Sequence, residues 1–306
     1  MLLPANKMHP DEADTDVSLV RRLLAAQFPQ WAELPVEPVC SAGTDNAIYR
    51  LGDDLAVRLP RIQWATAQVE KEHRWLPRLA PRLPLAIPVP LAKGTPADGY
   101  PWDWSVYRWL EGENATIDRL ADPAQAATDL AHLVAALHRI DPTGAPPPGP
   151  HNSFRGVPLA MRDAPTRAAI ASLQDTLDGD AATAAWQAAL QAPAWHGLPI
   201  WIHGDLQSGN LLAVHGRLSA VIDFGCLGVG DPACDLLVAW NLLSAETRGV
   251  FRTTLPVDDA TWARGRGWAL SVGLIALPYY QSTNPVLAGI ARRAIDEALA
   301  DYSASC

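Results

Sequence analysis

The chain lacks the apolar run that a membrane span requires. Its longest candidate, Trp268–Tyr280, follows Arg264 and Arg266 and falls short of the roughly 20 residues that cross a bilayer. A basic leader is missing too: MLLPANKMHPDEADTD is acidic and has no long apolar core, so a signal peptide is not expected. Cysteine is scarce. The four residues Cys40, Cys226, Cys234 and Cys306 form no CxxC pair, which argues against a disulfide framework or a zinc site and points to a reducing, cytoplasmic setting. Positive charge is also short. A net charge of −9 disfavours nucleic acid as a partner, because phosphate binding needs a basic face, and suits a cationic substrate better. What remains is a globular balance, 49% hydrophobic and 19% charged over 306 residues, enough for one large domain or two lobes. No internal repeat is visible.

Local patterns place strands first and helices later. Val17, Val20, Leu23 and Leu24 recur at helical spacing, with Thr15 or Asp16 as the cap. Strand-like runs follow at Val36–Ser41, Asn46–Leu51 and Leu55–Leu59, separated by the turn sequences Ala-Gly-Thr-Asp and Gly-Asp-Asp. A helix is expected from about Trp64 to Leu79, then strands near Val89–Lys93 and Trp104–Trp109. From Glu111 the character changes. Asp122-Pro123 reads as a cap and first turn, and Leu130, Leu133, Val134 and Leu137 form one apolar face. The expectation is an α+β fold with two lobes, a sheet-rich one over residues 1–110 and a mainly helical one over 111–306.

The most informative segment is WIHGDLQSGNLLAVHGRLSAVIDFGCLGVGDPACDL. Asp205 precedes Asn210 by five positions, and Asp223 opens Asp-Phe-Gly after two apolar runs around His215-Gly216-Arg217. A hairpin of that kind returns Asp223 beside the loop carrying Asp205 and Asn210. Phosphoryl transfer needs these groups together: one carboxylate takes the proton of the attacking hydroxyl, while a carboxylate and an amide oxygen hold Mg²⁺ on the nucleotide phosphates. The order Asp…Asn, then Asp-Phe-Gly, matches a kinase signature.

The elements HGDxxxxN, IDFG and GDPxxD, in this order, resemble the aminoglycoside phosphotransferases, relatives of choline kinase with a protein-kinase-like fold. The resemblance implies a bilobal fold whose smaller lobe is an antiparallel sheet. It implies Asp205 as the catalytic base or hydroxyl-orienting residue, with Asn210 and Asp223 as Mg²⁺ ligands. His203 would brace the loop, although an imidazole also does acid–base work near neutral pH. Asp231-Pro232 reads first as a helix start, and Asp235, one turn on, as a brace for the catalytic loop or, less simply, a substrate contact.

The N-terminal half should supply the site for ATP or GTP. In Leu55-Ala-Val-Arg-Leu-Pro-Arg61, Arg58 stands where the family usually has lysine; its forked donors suit α- and β-phosphate oxygens. Glu72 matches the expected acidic partner, with Glu70 as the alternative. Ser41-Ala-Gly-Thr-Asp-Asn46 lacks GxGxxG, so backbone N–H groups and the Ser41 or Thr44 hydroxyls would cradle phosphates, unless the segment is a plain hairpin turn. Ser105–Gly112, with Tyr107 and Trp109, fits a link whose backbone meets the adenine edge, or else places its aromatics in the core. The other tryptophans singled out (Trp102, Trp104, Trp201, Trp240, Trp262, Trp268) read as packing anchors before sugar platforms.

Between Asp223 and Asp235 there is no room for a long activation segment, so the acceptor is expected to be a small molecule and not a protein. An aminoglycoside or similar amine-bearing compound comes first, held by acids of the helical half such as Asp163, Asp258, Asp259, Asp296 or Glu297, unless these are ordinary surface charge. The alternatives are a metabolic kinase for choline, a sugar, homoserine or a macrolide, and a non-catalytic nucleotide-binding scaffold, which only Arg58 favours.

Overall fold

The computed structural model describes residues 12–40, 43 and 45–305. The chain divides into two units, one comprising the described residues up to Pro81 with Ile87–Leu110, the other Arg82–Ala86 with the residues from Glu111 onward.

In the first unit, Asp16 caps helix α1 (Val17–Gln27): Leu19 N–H donates to its Oδ1 at 2.7 Å, satisfying an amide that the helix leaves without a partner. Five strands follow in an antiparallel sheet: β1 (Val36–Pro38), β2 (Asn46–Leu51), β3 (Leu55–Pro60), β4 (Pro90–Gly94) and β5 (Trp104–Arg108), in the order β1-β2-β3-β5-β4. β1 is shorter than Val36–Ser41, ending at Pro38, and Ser41 lies outside the described residues. In β2 every second residue is buried, and Ala47, Tyr49 and Leu51 join Val57, Leu59, Val106 and the α1 face in one core. Helix α2 (Thr66–Leu79) buries Val69, Glu72, Trp75, Leu76 and Leu79. Arg58 on β3 stands opposite Ser105 on β5 and Ile48 on β2, which places it mid-sheet.

The second unit carries β6 (Glu113–Asn114), α3 (Pro123–His138), α4 (Asp163–Ser172), α5 (Gly179–Gln191), β7 (Ile200–Ile202), β8 (Leu211–Val214), β9 (Arg217–Val221), β10 (Gly228–Gly230), α6 (Val238–Asn241), α7 (Ala245–Thr254), α8 (Asp259–Tyr280) and α9 (Pro285–Ser303). Asp122 caps α3 with Pro123 at its first position, and Leu130, Leu133, Val134 and Leu137 are buried. The apolar run Trp268–Tyr280 lies inside α8, which packs against α9, α5 and α4. Most of that run up to Leu277 is therefore core, while Tyr279 at its end is exposed. No described helix is long and apolar enough to cross a membrane. Trp186, Trp201, Trp240 and Trp268 are fully buried here, as Trp104 is in the sheet unit, so these indoles are packing anchors. Ala86 joins this unit by accepting from Val221 N–H at 2.9 Å and donating to Ser219 O at 3.1 Å.

Candidate active site

Strand β7 delivers the chain into the loop 203–210, and β8 and β9 carry it away and back. His215 (φ 51°) and Gly216 (φ 74°) close that hairpin with two left-handed residues, matching the right-handed twist of the strands. The return is tight: Ile222 N–H donates to the Asn210 carbonyl at 2.9 Å, so Asp223 emerges next to Asn210. Asp223 is itself left-handed (φ 61°, ψ 73°), a conformation that costs an L-residue energy and clusters at functional sites. Its Oδ1 accepts from Gly225 N–H at 3.2 Å.

Asp205 is held by Asn210 twice. The Asn210 Nδ2 group donates to the Asp205 carbonyl at 2.9 Å and to its Oδ2 at 3.0 Å. The amide nitrogen is thereby turned to Asp205, which leaves Asn210 Oδ1 as a hard oxygen donor; among the described residues no hydrogen bond reaches it. An amide oxygen beside a carboxylate is a donor set that fits Mg²⁺. Asp205 Oδ1 lies 3.4 Å from an Nη2 of Arg155, a residue that carries no motif and that the sequence did not single out.

The loop is braced from below. Asp235, completely buried, accepts from His203 N–H (2.9 Å) through Oδ2 and from Gly204 N–H (2.7 Å) through Oδ1. His203 is 1% exposed, and both of its ring nitrogens are engaged: Asp205 N–H donates to Nδ1 at 3.2 Å, so the proton sits on Nε2, which donates to Ile222 O at 3.1 Å. Such an imidazole ties Asp205 to the strand before Asp223 and has no lone pair left for an acceptor hydroxyl. Gly204 takes φ 83°, and a Cβ there would stand 2.7 Å from Cys226 O. Asp231 caps the 3₁₀ helix Pro232–Leu237, accepting from Ala233 N–H at 3.0 Å. It also forms a buried fork with Arg264 (Nε to Oδ2 2.8 Å, Nη2 to Oδ1 3.1 Å), a second partner no local pattern announced.

The sheet unit holds its own polar cluster. Arg58 Nη1 donates to both Glu72 oxygens (2.6 and 2.7 Å), and Nη2 to Gln68 Oε1 at 2.9 Å. Asn46, in the amide orientation that satisfies both partners, accepts from Arg58 Nε (3.3 Å) and Nη2 (2.9 Å). Each guanidinium nitrogen thus has a protein acceptor, and a nucleotide would meet a charge already matched by Glu72. Glu70, the alternative partner, is exposed and pairs with Lys93 at 3.0 Å. Tyr107 is a core residue: its hydroxyl donates to Glu72 Oε2, and burial, then the Glu72 charge, push the phenol above its ordinary value. Trp109 is half-buried under the Arg50 guanidinium, 4.4 Å from its ring centroid. Ser41 and Thr44 lie outside the described residues.

Several of the acids considered for a cationic substrate already have partners in the protein. Asp163 accepts from Trp186 Nε1 (2.8 Å) and Arg167 Nε (2.7 Å), Asp258 caps α8, Asp259 meets Arg252 and Glu297 meets Arg248. Asp296 is exposed.

With this geometry established, comparison with known proteins gives the lineage. The family model of the phosphotransferase enzymes (APH) matches residues 38–268. The chain belongs to the phosphotransferase enzyme family. An aminoglycoside 3′-phosphotransferase of Escherichia coli is 37% identical to this phosphotransferase over 86 residues, 26% of the chain; the matched stretch spans about a third (32%) of that relative's length. Among solved structures, the GDP and kanamycin complex of APH(2″)-IIia superposes with a TM-score of 0.69 at 20% identity, covering 92% of this chain and 99% of the other. The apoenzyme of the macrolide 2′-phosphotransferase MphH of Brachybacterium faecium superposes with a TM-score of 0.58 at 21% identity, covering 92% and 98%. The fold is thus that of the protein-kinase-like phosphotransferases, an antiparallel sheet unit and a mainly helical unit.

Proposed function

We propose that this phosphotransferase moves the γ-phosphoryl group of ATP or GTP to a hydroxyl of a small molecule, an aminoglycoside first, with residues 1–110 serving the nucleotide and residues 111–306 the catalysis and the acceptor. The observation that carries this reading is the hairpin return that sets Asp223 next to Asn210 while Asn210 holds Asp205. Asp205 accepts the proton of the acceptor hydroxyl as its oxygen attacks the γ-phosphorus. The bond from that phosphorus to the β,γ-bridging oxygen breaks, and the nucleoside diphosphate leaves with the electron pair. Asn210 and Asp223 would hold Mg²⁺, which neutralises charge developing on the phosphates. His203, Asp231 and Asp235 keep the loop in place. Arg58, Glu72 and Tyr107 maintain one buried charge cluster in the sheet unit, and the backbone of Ser105–Gly112 with Trp109 serves the base, with Ser41 and Thr44 near the phosphates. No disulfide joins the described cysteines Cys40, Cys226 and Cys234, which suits a cytoplasmic enzyme. Activity on aminoglycosides would make it an antibiotic-resistance factor.

A macrolide acceptor is the second reading. It is favoured by the engagement of Asp163 with Trp186 and Arg167 and of Glu297 with Arg248, because a macrolide makes fewer demands on free carboxylates than a polycationic aminoglycoside. A screen of aminoglycosides and macrolides with Mg·ATP and Mg·GTP, read by phosphate incorporation, separates the two. Asp205→Ala should abolish transfer and leave the folding transition unchanged; transfer at the wild-type rate would remove Asp205 from its role.

A further inference from the structure

The side chain of Arg155 is only 12% exposed, and among the described residues one carboxylate lies within ion-pair reach of it, that of Asp205. The contact is single and long at 3.4 Å, and its acid is 28% exposed. Arg264 is built differently: it grips Asp231 with two nitrogens at 2.8 and 3.1 Å, both side chains 3% exposed, and gives a further hydrogen bond to Pro193 O. That is how this fold ties a buried arginine for stability. Arg155 has no such fork: besides the long Asp205 contact, its side chain makes a hydrogen bond to Cys226.

The chain nevertheless goes to some length to place it. Arg155 sits in a turn where Ser153 (φ 53°), Phe154 (φ 55°) and Gly156 (φ 82°) are all left-handed, two of them with side chains that disfavour it. Asn152, fully buried, locks the turn: its Oδ1 accepts from Gly149 N–H (3.0 Å) and its Nδ2 donates to Arg155 O (3.1 Å). Gly156 O accepts from Asp231 N–H at 2.9 Å, and a Cβ on Gly156 would stand 2.7 Å from Ile202 Cδ1, so the turn is docked on β7, the strand that leads into the catalytic loop. The result turns Phe154 outward, 47% exposed, and Arg155 inward. The Arg155 stem lies on the loop itself: a Cβ on Gly204 would be 3.0 Å from its Cβ and 3.1 Å from its Cγ.

We propose that Arg155 is a positioning residue for phosphoryl transfer: with Asn210 on Oδ2 and Arg155 beside Oδ1, the Asp205 carboxylate is held from two sides in one orientation toward the acceptor hydroxyl. This rests on the reading of Asp205 as the proton acceptor. The single long contact leaves the carboxylate oriented yet still open to a proton, which a tight two-nitrogen fork would hinder.

The test uses Arg155→Met, which keeps the stem on Gly204 and removes only the guanidinium, and Arg155→Lys, which keeps the charge. Rates are measured with Mg·GTP and Mg·ATP and kanamycin, and as slow nucleotide hydrolysis in water, in the wild-type and Asp205→Asn backgrounds. Arg155→Met should lower kcat by about 10- to 100-fold, the scale expected when a reacting group is misplaced by about an ångström, with the nucleotide KM unchanged. Arg155→Lys should recover part of that loss. In the Asp205→Asn background Arg155→Met should add less than about a twofold loss, because residues acting as one unit are non-additive. A wild-type kcat for Arg155→Met, or an equal loss in both backgrounds, would overturn the proposal while leaving Asp205 in place. A wild-type rate for Asp205→Asn alone would instead overturn the reading of Asp205. Should Arg155→Met not fold, Arg155→Lys decides: reduced kcat at unchanged nucleotide KM and melting temperature supports the proposal, and a wild-type kcat overturns it.

Discussion

Glu72 receives Arg58 Nη1 on both of its oxygens and the Tyr107 hydroxyl on one of them, so a single buried carboxylate joins α2, β3 and β5. With Gln68 and Asn46 on the other guanidinium nitrogens, Arg58 is a structural cation at least as much as a phosphate binder. Removing one member of a buried pair costs more than the pair contributes, because the remaining charge stays desolvated. Glu72→Gln should therefore destabilise the protein by about 3 kcal/mol, read from urea unfolding. Arg58→Lys should keep the Glu72 contact, free donors for phosphate and lower the nucleotide KM. A raised KM in the lysine variant would show that the guanidinium itself holds the phosphates.

Asp235 accepts two consecutive backbone N–H groups from the loop that precedes the proposed base. Asp235→Ala orphans both in a fully buried place, and each unsatisfied donor costs about 1–3 kcal/mol. The expected outcome is a loss of at least 2 kcal/mol, with kcat falling more steeply than nucleotide affinity. Calorimetry together with initial-rate kinetics checks both; an active variant of wild-type stability would assign the loop geometry to other contacts.

His73 lies half-buried on α2 with Nε2 3.0 Å from Ser105 Oγ. Burial, then the Lys93 charge, lower its pKa below the ordinary value, so the folded protein holds the ring neutral. The unfolded chain binds the proton first as pH falls through the ordinary histidine range near about 6.5. The contribution of His73 is therefore fully present above that range and is lost as pH falls from it through the lower folded value. Denaturant midpoints at pH 7.5 and pH 5 should differ less in His73→Asn than in the wild type. An identical difference would mean that His73 contributes nothing to the acid limb.

The sequence by itself determined what depends on near neighbours. The Asp122 cap, the β2 run, the His215-Gly216 turn and the spacing from Asp205 through Asn210 to Asp223 are all local, whereas the α1 cap, open between Thr15 and Asp16 in the sequence, falls to Asp16 in the structure. A hairpin with that turn can only bring its two ends back together, which is why Ile222 meets Asn210. Resemblance supplied Glu72, and the structure preferred it to Glu70 because only Glu72 lies on the buried face of α2.

Tertiary structure alone decided the pairings between distant side chains. Arg155 reaches Asp205 across 50 residues, Arg264 reaches Asp231 across 33, and Tyr107 reaches Glu72 across 35. No period or motif marks these pairings. An arginine in a polar loop looks the same whether it ends in water or beside a carboxylate, and the outcome depends on how turns such as Ser153–Gly156 dock on β7. The same holds for Asp163, which meets Trp186 across 23 residues, and for Glu297, which meets Arg248 across 49. A charge is placed by the packing of the whole unit, whereas a turn or a cap is placed by the few residues that form it.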